Sequence, residues 1–341
     1  MRLRLWTCAV AILSASEHVD VVVSSIQSLQ QFYVSPEVAD RMATDLRGRL
    51  SRGEFQSIAA GEDLARQLTA KLQEISHDKH LRVQFFRDTA PPTPTSLTPS
   101  PEELESERRD GLRDNFGFEQ ARRLPGNVGY LDIRGFHTLA IAAPTVTAAM
   151  SVVANTDALI IDLRGNFGGE PECVTFVASY LFDEPVHLDN LVMRWPESHT
   201  QQYWTAPAVP GLRFGARKPV YLLTSHQTFS GGEAFAYNLQ TLGRVRIVGE
   251  TTAGAAHLTI PIRVSEHFTI AVPFGRSVNP TTGKDWEGSG VAPDIAVKAS
   301  DAAAVAYRLA LERIIDSTSD ETRKTELRAI NVAQVLRERA R

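Results

Sequence analysis

The segment Thr228-Phe229-Ser230-Gly231-Gly232-Glu233 is where residue types and spacing most plainly permit covalent chemistry. Ser230 follows an apolar run and a short turn, and it opens a stretch of helical periodicity. A hydroxyl placed there stands where backbone amides lack intrahelical partners and the helix dipole favours negative charge. The amide of Gly231 can then face an oxyanion forming beside Ser230. The same residues also satisfy the capping-box pattern Ser-x-x-Glu, with Ser230 as cap and Glu233 reaching back. Read locally, the cap is the simpler account. A second segment, Asp162-Leu163-Arg164-Gly165-Asn166-Phe167-Gly168-Gly169, ends an apolar strand in a polar, glycine-rich turn. Glycine there permits positive φ and close backbone approach. Turns at the carboxyl ends of strands are where α/β sheets bind ligands. Taken alone, it is also an ordinary strand-to-helix turn.

The elements that would carry these segments alternate. Residues 128–133, 158–163, 219–224 and 245–249 read as apolar strands, and 143–154, 172–182 and 231–242 as helices. Nearly continuous apolar strands alternating with helices predict an α/β core around a largely parallel sheet. Residues 259–264 and 269–272 add an antiparallel pair, and charged helices follow residue 301. Residues 20–76 show helical spacing broken at Pro36 and Gly53, which predicts a small N-terminal helical bundle. Residues 89–101 are rich in Pro, Thr and Ser and predict an exposed linker. The expected organisation is a leader peptide over 1–16, a helical domain over 17–87, a Pro-rich linker and charged segment over 88–125, the core over 126–300, and a helical C-terminal segment over 301–341. A length of 341 residues accommodates one large domain and one smaller one.

Composition excludes several classes of function. The net charge of −4 offers no basic patch for nucleic acid. No apolar stretch is long enough to span a membrane, so a soluble protein is expected. The basic start, apolar run and small residues Ser14-Ala15-Ser16 predict export, periplasmic or secreted, if they are a cleaved leader, and a cytoplasmic protein otherwise. Of the two cysteines, Cys173 lies in an apolar run and reads as a small buried hydrophobe. No zinc-type cysteine spacing is present, and neither a cofactor nor a metal is expected.

Four motifs occur in order: 162–169, 228–233, Val248-Gly249-Glu250-Thr251-Thr252-Ala253-Gly254, and Gly290-Val291-Ala292-Pro293-Asp294-Ile295-Ala296-Val297. Together they resemble the C-terminal processing (tail-specific) serine protease family over residues 127–297. The resemblance implies a crotonase-like core of ββα units, Ser230 as nucleophile of an acyl-enzyme peptidase, and a peptide or protein substrate. It also implies an oxyanion hole built from the amides of Gly231 and Gly169, with Gly168 as the neighbouring alternative.

A serine needs a base. One branch of the family uses a lysine just after Gly-Glu-Thr-Thr-x-Gly. Here that place holds Ala255, and the 40 residues or so before residue 127 are too short for the PDZ domain of that branch. The chain instead resembles the branch that includes the tricorn core protease and the interphotoreceptor retinoid-binding protein modules, with Ile75-Ser76-His77-Asp78-Lys79-His80-Leu81-Arg82-Val83 as the matching N-terminal mark. The resemblance implies His80 as general base and Glu287, in Trp286-Glu287-Gly288, as its catalytic partner. An imidazole suits that role near neutral pH. His77 and His257 are competitors among the nine histidines. Lys79 stands where tricorn-like members carry a serine, so Asp78 or Glu287 is left to orient His80. Arg164 and Asn166 are expected to shape their turn, and Glu233 to brace the turn at Ser230. The competing reading is a non-catalytic lipophilic-ligand or peptide-binding module, since one scaffold supports several functions. An acyl-CoA enzyme is a third reading, disfavoured by the serine-centred motifs.

Overall fold

The computed structural model describes residues 15–338. The expected leader, residues 1–16, lies outside the described residues except for its last two. In chain order the elements are α1 (Ala15–Phe32), α2 (Pro36–Ser51), α3 (Gly61–Ser76), β1 (Arg82–Phe85), α4 (Pro101–Gly111), β2 (Phe118–Leu124), β3 (Val128–Ile133), α5 (Leu139–Val153), β4 (Ala158–Asp162), α6 (Pro171–Ser179), β5 (His187–Met193), β6 (His199–Trp204), β7 (Val220–Thr224), α7 (Gly231–Thr241), β8 (Arg246–Gly249), β9 (His257–Arg263), β10 (Phe268–Val278), β11 (Ile295–Ala296), α8 (Ala299–Ser317), α9 (Glu321–Arg328) and α10 (Val332–Glu338).

The chain divides into two compact units. One holds the described residues up to 97 together with 192–199 and 257–276, and the other holds 98–191, 200–256 and 277 onward. The chain passes between them within β5 and again within β6.

In the first unit, α1 to α3 bury Val22, Ile26, Leu29, Met42, Leu46, Leu64, Leu68 and Leu72. All but Met42 are positions whose spacing predicts helices, and each such buried side chain contributes about 1.5–3 kcal/mol of hydrophobic stabilisation. Strand β10 lies between β1 and β9, antiparallel to both, with Ile270 opposite Val83 on one side and Ile262 on the other. α3 stops at His77, which adopts the left-handed conformation (φ 58°) that ends helices. The chain then turns through Asp78 and His80 into β1.

The second unit is built on a six-stranded sheet in the order β11-β8-β7-β4-β3-β2. Only the β2–β3 pair is antiparallel. Successive residues of the central strands face opposite layers. Leu131, Ile161 and Leu222 pack with α5, α6 and α7, whereas Tyr130, Ile160 and Leu223 pack with α8 and the elements after it. Both faces are covered, which is why these strands read as unbroken apolar runs. Crossover helices force the parallel strands β4, β7 and β8 to end at the same edge. The turns after Asp162, Thr224 and Gly249 therefore gather there. Among the described residues no helix is long and apolar enough to cross a membrane.

Candidate active site

The turn after β4 is held by side chains of its own motif. Asp162 accepts from Arg164 Nε at 2.9 Å and Nη2 at 2.5 Å, and from Tyr130 Oη at 2.6 Å. Burial opposes the charge on Asp162, but Arg164 and Tyr130 outweigh it and hold the carboxyl below its usual range. Arg164 also donates to the Ala299 carbonyl at 2.6 Å. Asn166 is fully buried; its Nδ2 donates to Ile133 O at 2.9 Å and its Oδ1 accepts from the Gly168 amide at 2.8 Å. Arg164 and Asn166 are thus committed to shaping the turn, as their types suggest.

The turn after β7 abuts it. Thr228, buried, donates to Leu163 O at 2.7 Å, and the Phe229 amide donates to Asn166 O at 3.0 Å. Ser230 follows with φ 49° and ψ −117°. A non-glycine residue with positive φ is strained by roughly 1–3 kcal/mol and persists only where its surroundings over-determine it. Here the surroundings are two glycine pairs. A Cβ on Gly168 would stand 2.7 Å from Ser230 Cβ, one on Gly231 would stand 3.0 Å from Gly169 N, and one on Gly232 would stand 2.5 Å from Asn166 Oδ1. A strained serine on a sharp strand-to-helix turn is the arrangement that exposes a nucleophilic Oγ.

The backbone groups of this turn differ in what they bind. The bridge between Phe136 and Gly169 uses the carbonyl of Gly168 (2.8 Å) and the amide of Glu170 (2.7 Å). The Gly168 amide goes to Asn166. The Gly169 amide lies outside this network and beside Gly231, while the Gly168 amide is already spent. Gly169 has φ 128°, and an added Cβ would meet Phe136 O at 2.0 Å. Gly169→Ala is therefore expected to rebuild the turn. Acylation of Ser230 should slow by about 100-fold or more, while circular dichroism stays that of the wild type; an unchanged acylation rate would remove this turn from the site.

Glu233 is fully buried and ties Ser230 to the loop after β8. Its Oε2 accepts from the Ser230 amide (2.9 Å) and the Ala255 amide (2.9 Å), and its Oε1 from Thr252 Oγ1 (2.6 Å) and the Gly254 amide (2.6 Å). Burial raises its pKa, and these four donors pull it back. The Glu233 amide donates to the Ser230 carbonyl at 2.8 Å, and Ser230 and Glu233 face each other in the capping-box arrangement that their spacing predicts. The return arm from Glu233 is in place. Ala255, where a lysine would stand in the other branch, is buried, and its carbonyl accepts from Trp286 Nε1 at 2.9 Å. Glu287, half-buried, accepts from the Ala256 amide at 2.5 Å. Cys173 is buried in α6, and burial pushes its thiol up to about 12, so it offers no thiolate near neutral pH.

Ser230, Gly231, Gly169 and Glu287 all belong to the second unit; His80 belongs to the first. There, Asp78 is the organising group. It is 1% exposed, and its Oδ1 accepts the backbone amide of His80 at 3.0 Å. Its Oδ2 accepts from Tyr33 Oη at 3.1 Å and from His257 Nδ1 at 2.6 Å. Asp78 thus holds the main chain of His80 and the ring of a different histidine. His77 is exposed and spends its amide on the end of α3. Lys79 is exposed as well. Tyr33 gave no signal in the sequence. Its role rests on a contact across 45 residues.

Two family models match the chain. One, described as peptidase family S41, covers residues 127–297. The other, described as the N-terminal domain of peptidase S41 in eukaryotic IRBP, covers residues 6–108. Among solved structures, the chain is similar to a lipoprotein from Streptococcus agalactiae, with 16% identity, a TM-score of 0.53, and coverage of 92% of this chain and 100% of that one. It is similar to the photosystem II D1 C-terminal processing protease, with 16% identity, a TM-score of 0.50, and coverage of 83% and 94%. It is also similar to the tricorn protease, with 14% identity, a TM-score of 0.54, and coverage of 84% of this chain but 35% of that one. At these identities the likeness to the three structures is one of fold.

Proposed function

The chain belongs to peptidase family S41 and is a serine-type peptidase; on that premise we propose that Ser230 is its nucleophile, His80 its general base and Glu287 the carboxylate that completes the set. The single observation that carries the assignment of Ser230 is its backbone. A non-glycine residue is held at φ 49° at the head of α7, with its amide gripped by Glu233. A serine serving only as a cap needs no such strain.

The mechanism is acyl transfer to and from the serine. His80 takes the proton of Ser230 Oγ as the oxygen attacks a peptide carbonyl. The amides of Gly231 and Gly169 hold the oxyanion. The protonated imidazole then gives its proton to the leaving amine, and the C–N bond breaks. Water, deprotonated by the same imidazole, hydrolyses the ester and restores Ser230. The substrate is a peptide or protein.

Burial draws the His80 imidazole down to about 4; Asp78 opposes that shift, while His257 and Arg82 reinforce it. His80 is consequently neutral, and able to accept a proton, over the whole range above about pH 4. The acid limb of the acylation rate is expected near pH 4 rather than near the ordinary histidine value of about 6.5. Because the folded-state pKa lies below the unfolded one, the stability contributed by this group is present above about pH 6.5 and is lost as the pH falls towards 4. A pH–rate profile checks the first statement; an acid limb at 6.5 or above would contradict it.

Cleavage of a peptide library by the wild type, Ser230→Ala and His80→Ala tests the function as a whole. The wild type should cut and both variants should be nearly inactive. Equal activity in all three would refute the assignment.

A further inference from the structure

We infer that Asp78 and His257 are positioning residues for His80, an inference that rests on the reading of His80 as the base for Ser230. The geometry is confined to one unit of the fold. Asp78 sits in the turn between α3 and β1, and nearly every acceptor position on its carboxylate is used. Oδ1 fixes the main chain at His80 (3.0 Å), so the residue carrying the base cannot swing with the turn. Oδ2 takes Tyr33 Oη at the end of α1 (3.1 Å) and His257 Nδ1 at the head of β9 (2.6 Å). Tyr33 is 2% exposed and the His257 side chain 12%. Helix, turn and strand are thus pinned to one another at the point where His80 leaves α3.

The same bonds settle the chemistry of His257. Burial alone would neutralise Asp78, but the bond to His257, the charges of His257 and His80, and the His80 amide outweigh it and keep it a carboxylate. An ionised carboxylate only accepts, so His257 Nδ1 carries the proton and donates it. The ring is held in an orientation fixed by Asp78. This is the aspartate–histidine arrangement that serine hydrolases use to orient an imidazole, but here the oriented ring is the second histidine. His80 gets its main-chain anchor from the same carboxylate. The charged and titratable groups acting on His80 within this unit are Asp78 from its own turn, His257 from β9 and Arg82 from β1. His257 therefore also keeps protons off the base. The serine that tricorn-like members place immediately before the base is replaced here by exposed Lys79, and the Asp78–His257 pair occupies the positioning role instead.

The test is the rate of fluorophosphonate labelling of Ser230 across pH in Asp78→Asn, His257→Asn, His257→Leu and Tyr33→Phe, with thermal unfolding measured for each. Asparagine can place its amide nitrogen where Nδ1 stands and still donate to Asp78; leucine cannot. The expected result is near-wild-type labelling above neutral pH for His257→Asn, and labelling about 10–100-fold slower for His257→Leu and for Asp78→Asn. Tyr33→Phe should slow it by only a few-fold. The acid limb of His257→Asn should move upward, because a group that resists protonation of His80 has gone; a purely structural role would leave it in place. His257→Asn as slow as His257→Leu would make His257 a proton-transfer group and overturn the inference. Asp78→Asn and Tyr33→Phe labelling at the wild-type rate, with no shift of the acid limb in His257→Asn, would overturn it too. A wild type that does not label at Ser230 would instead defeat the reading beneath it.

Discussion

Ser230→Ala should fold at least as well as the wild type and lose peptide hydrolysis by about 10⁴–10⁶-fold. The size of the loss follows from the role proposed for Ser230. Without Oγ no acyl-enzyme forms, and only the oxyanion amides and substrate binding remain to accelerate direct attack by water. The stability half of the expectation follows from the backbone. Ser230 is held at φ 49°, ψ −117° by a turn whose other members are paired, so its backbone carries strain that glycine would not. Ser230→Gly should therefore raise the unfolding free energy by about 1 kcal/mol, since glycine occupies positive φ at little cost. Denaturant unfolding of both variants, alongside turnover of a cleaved peptide, measures the two halves separately. A Ser230→Gly variant distinctly less stable than the wild type would show that the hydroxyl is a structural cap after all.

Glu233→Ala should lower stability by about 3–5 kcal/mol. Four donors converge on this buried carboxylate: the amides of Ser230, Gly254 and Ala255 and the Thr252 hydroxyl. Removing it leaves all four without that acceptor, and each donor orphaned in a buried site costs about 1–3 kcal/mol before relaxation. Glu233→Gln is not a rescue. Its amide nitrogen would face the Ser230 and Ala255 amides or the Thr252 and Gly254 donors, donor against donor on either orientation. Labelling of Ser230 should fall with stability in both variants, because the carboxylate sets the position of the serine amide. Chemical denaturation together with labelling rates checks this. A Gln variant with wild-type values in both would mean that Glu233 is not the bracket described.

The sequence carried the central layers well, and the reason is burial. Strands enclosed on both faces have to be apolar throughout, so β3, β4, β7 and β8 were legible to within a residue or two. β2 was not legible. It is an edge strand with Glu119 and Arg123 exposed and Arg122 half-buried, so its composition resembles the charged segment before it. α4 was hidden for the same reason; apart from its closing Gly111 none of its residues is buried, and its start is marked by the Ser100–Glu103 capping box rather than by an apolar face. α5 begins at Leu139, ahead of the expected start, with Pro144 inside it, where sequence reading takes a proline as a boundary. The serine turn was legible as a motif, but its strain was not, because φ 49° at Ser230 is imposed by Gly168, Gly169 and Asn166 from another turn. The bonds of Asp78 could not be read at all. His257 lies 179 residues away, and nothing in either segment announces the other.

The most direct measurement is mass spectrometry of intact and proteolysed protein after fluorophosphonate treatment at neutral pH. One phosphonyl adduct per chain, mapped to the peptide containing Ser230 and absent from Ser230→Ala, is the predicted result. Folded wild-type protein with no adduct at Ser230, or with its adduct on another serine, would contradict it.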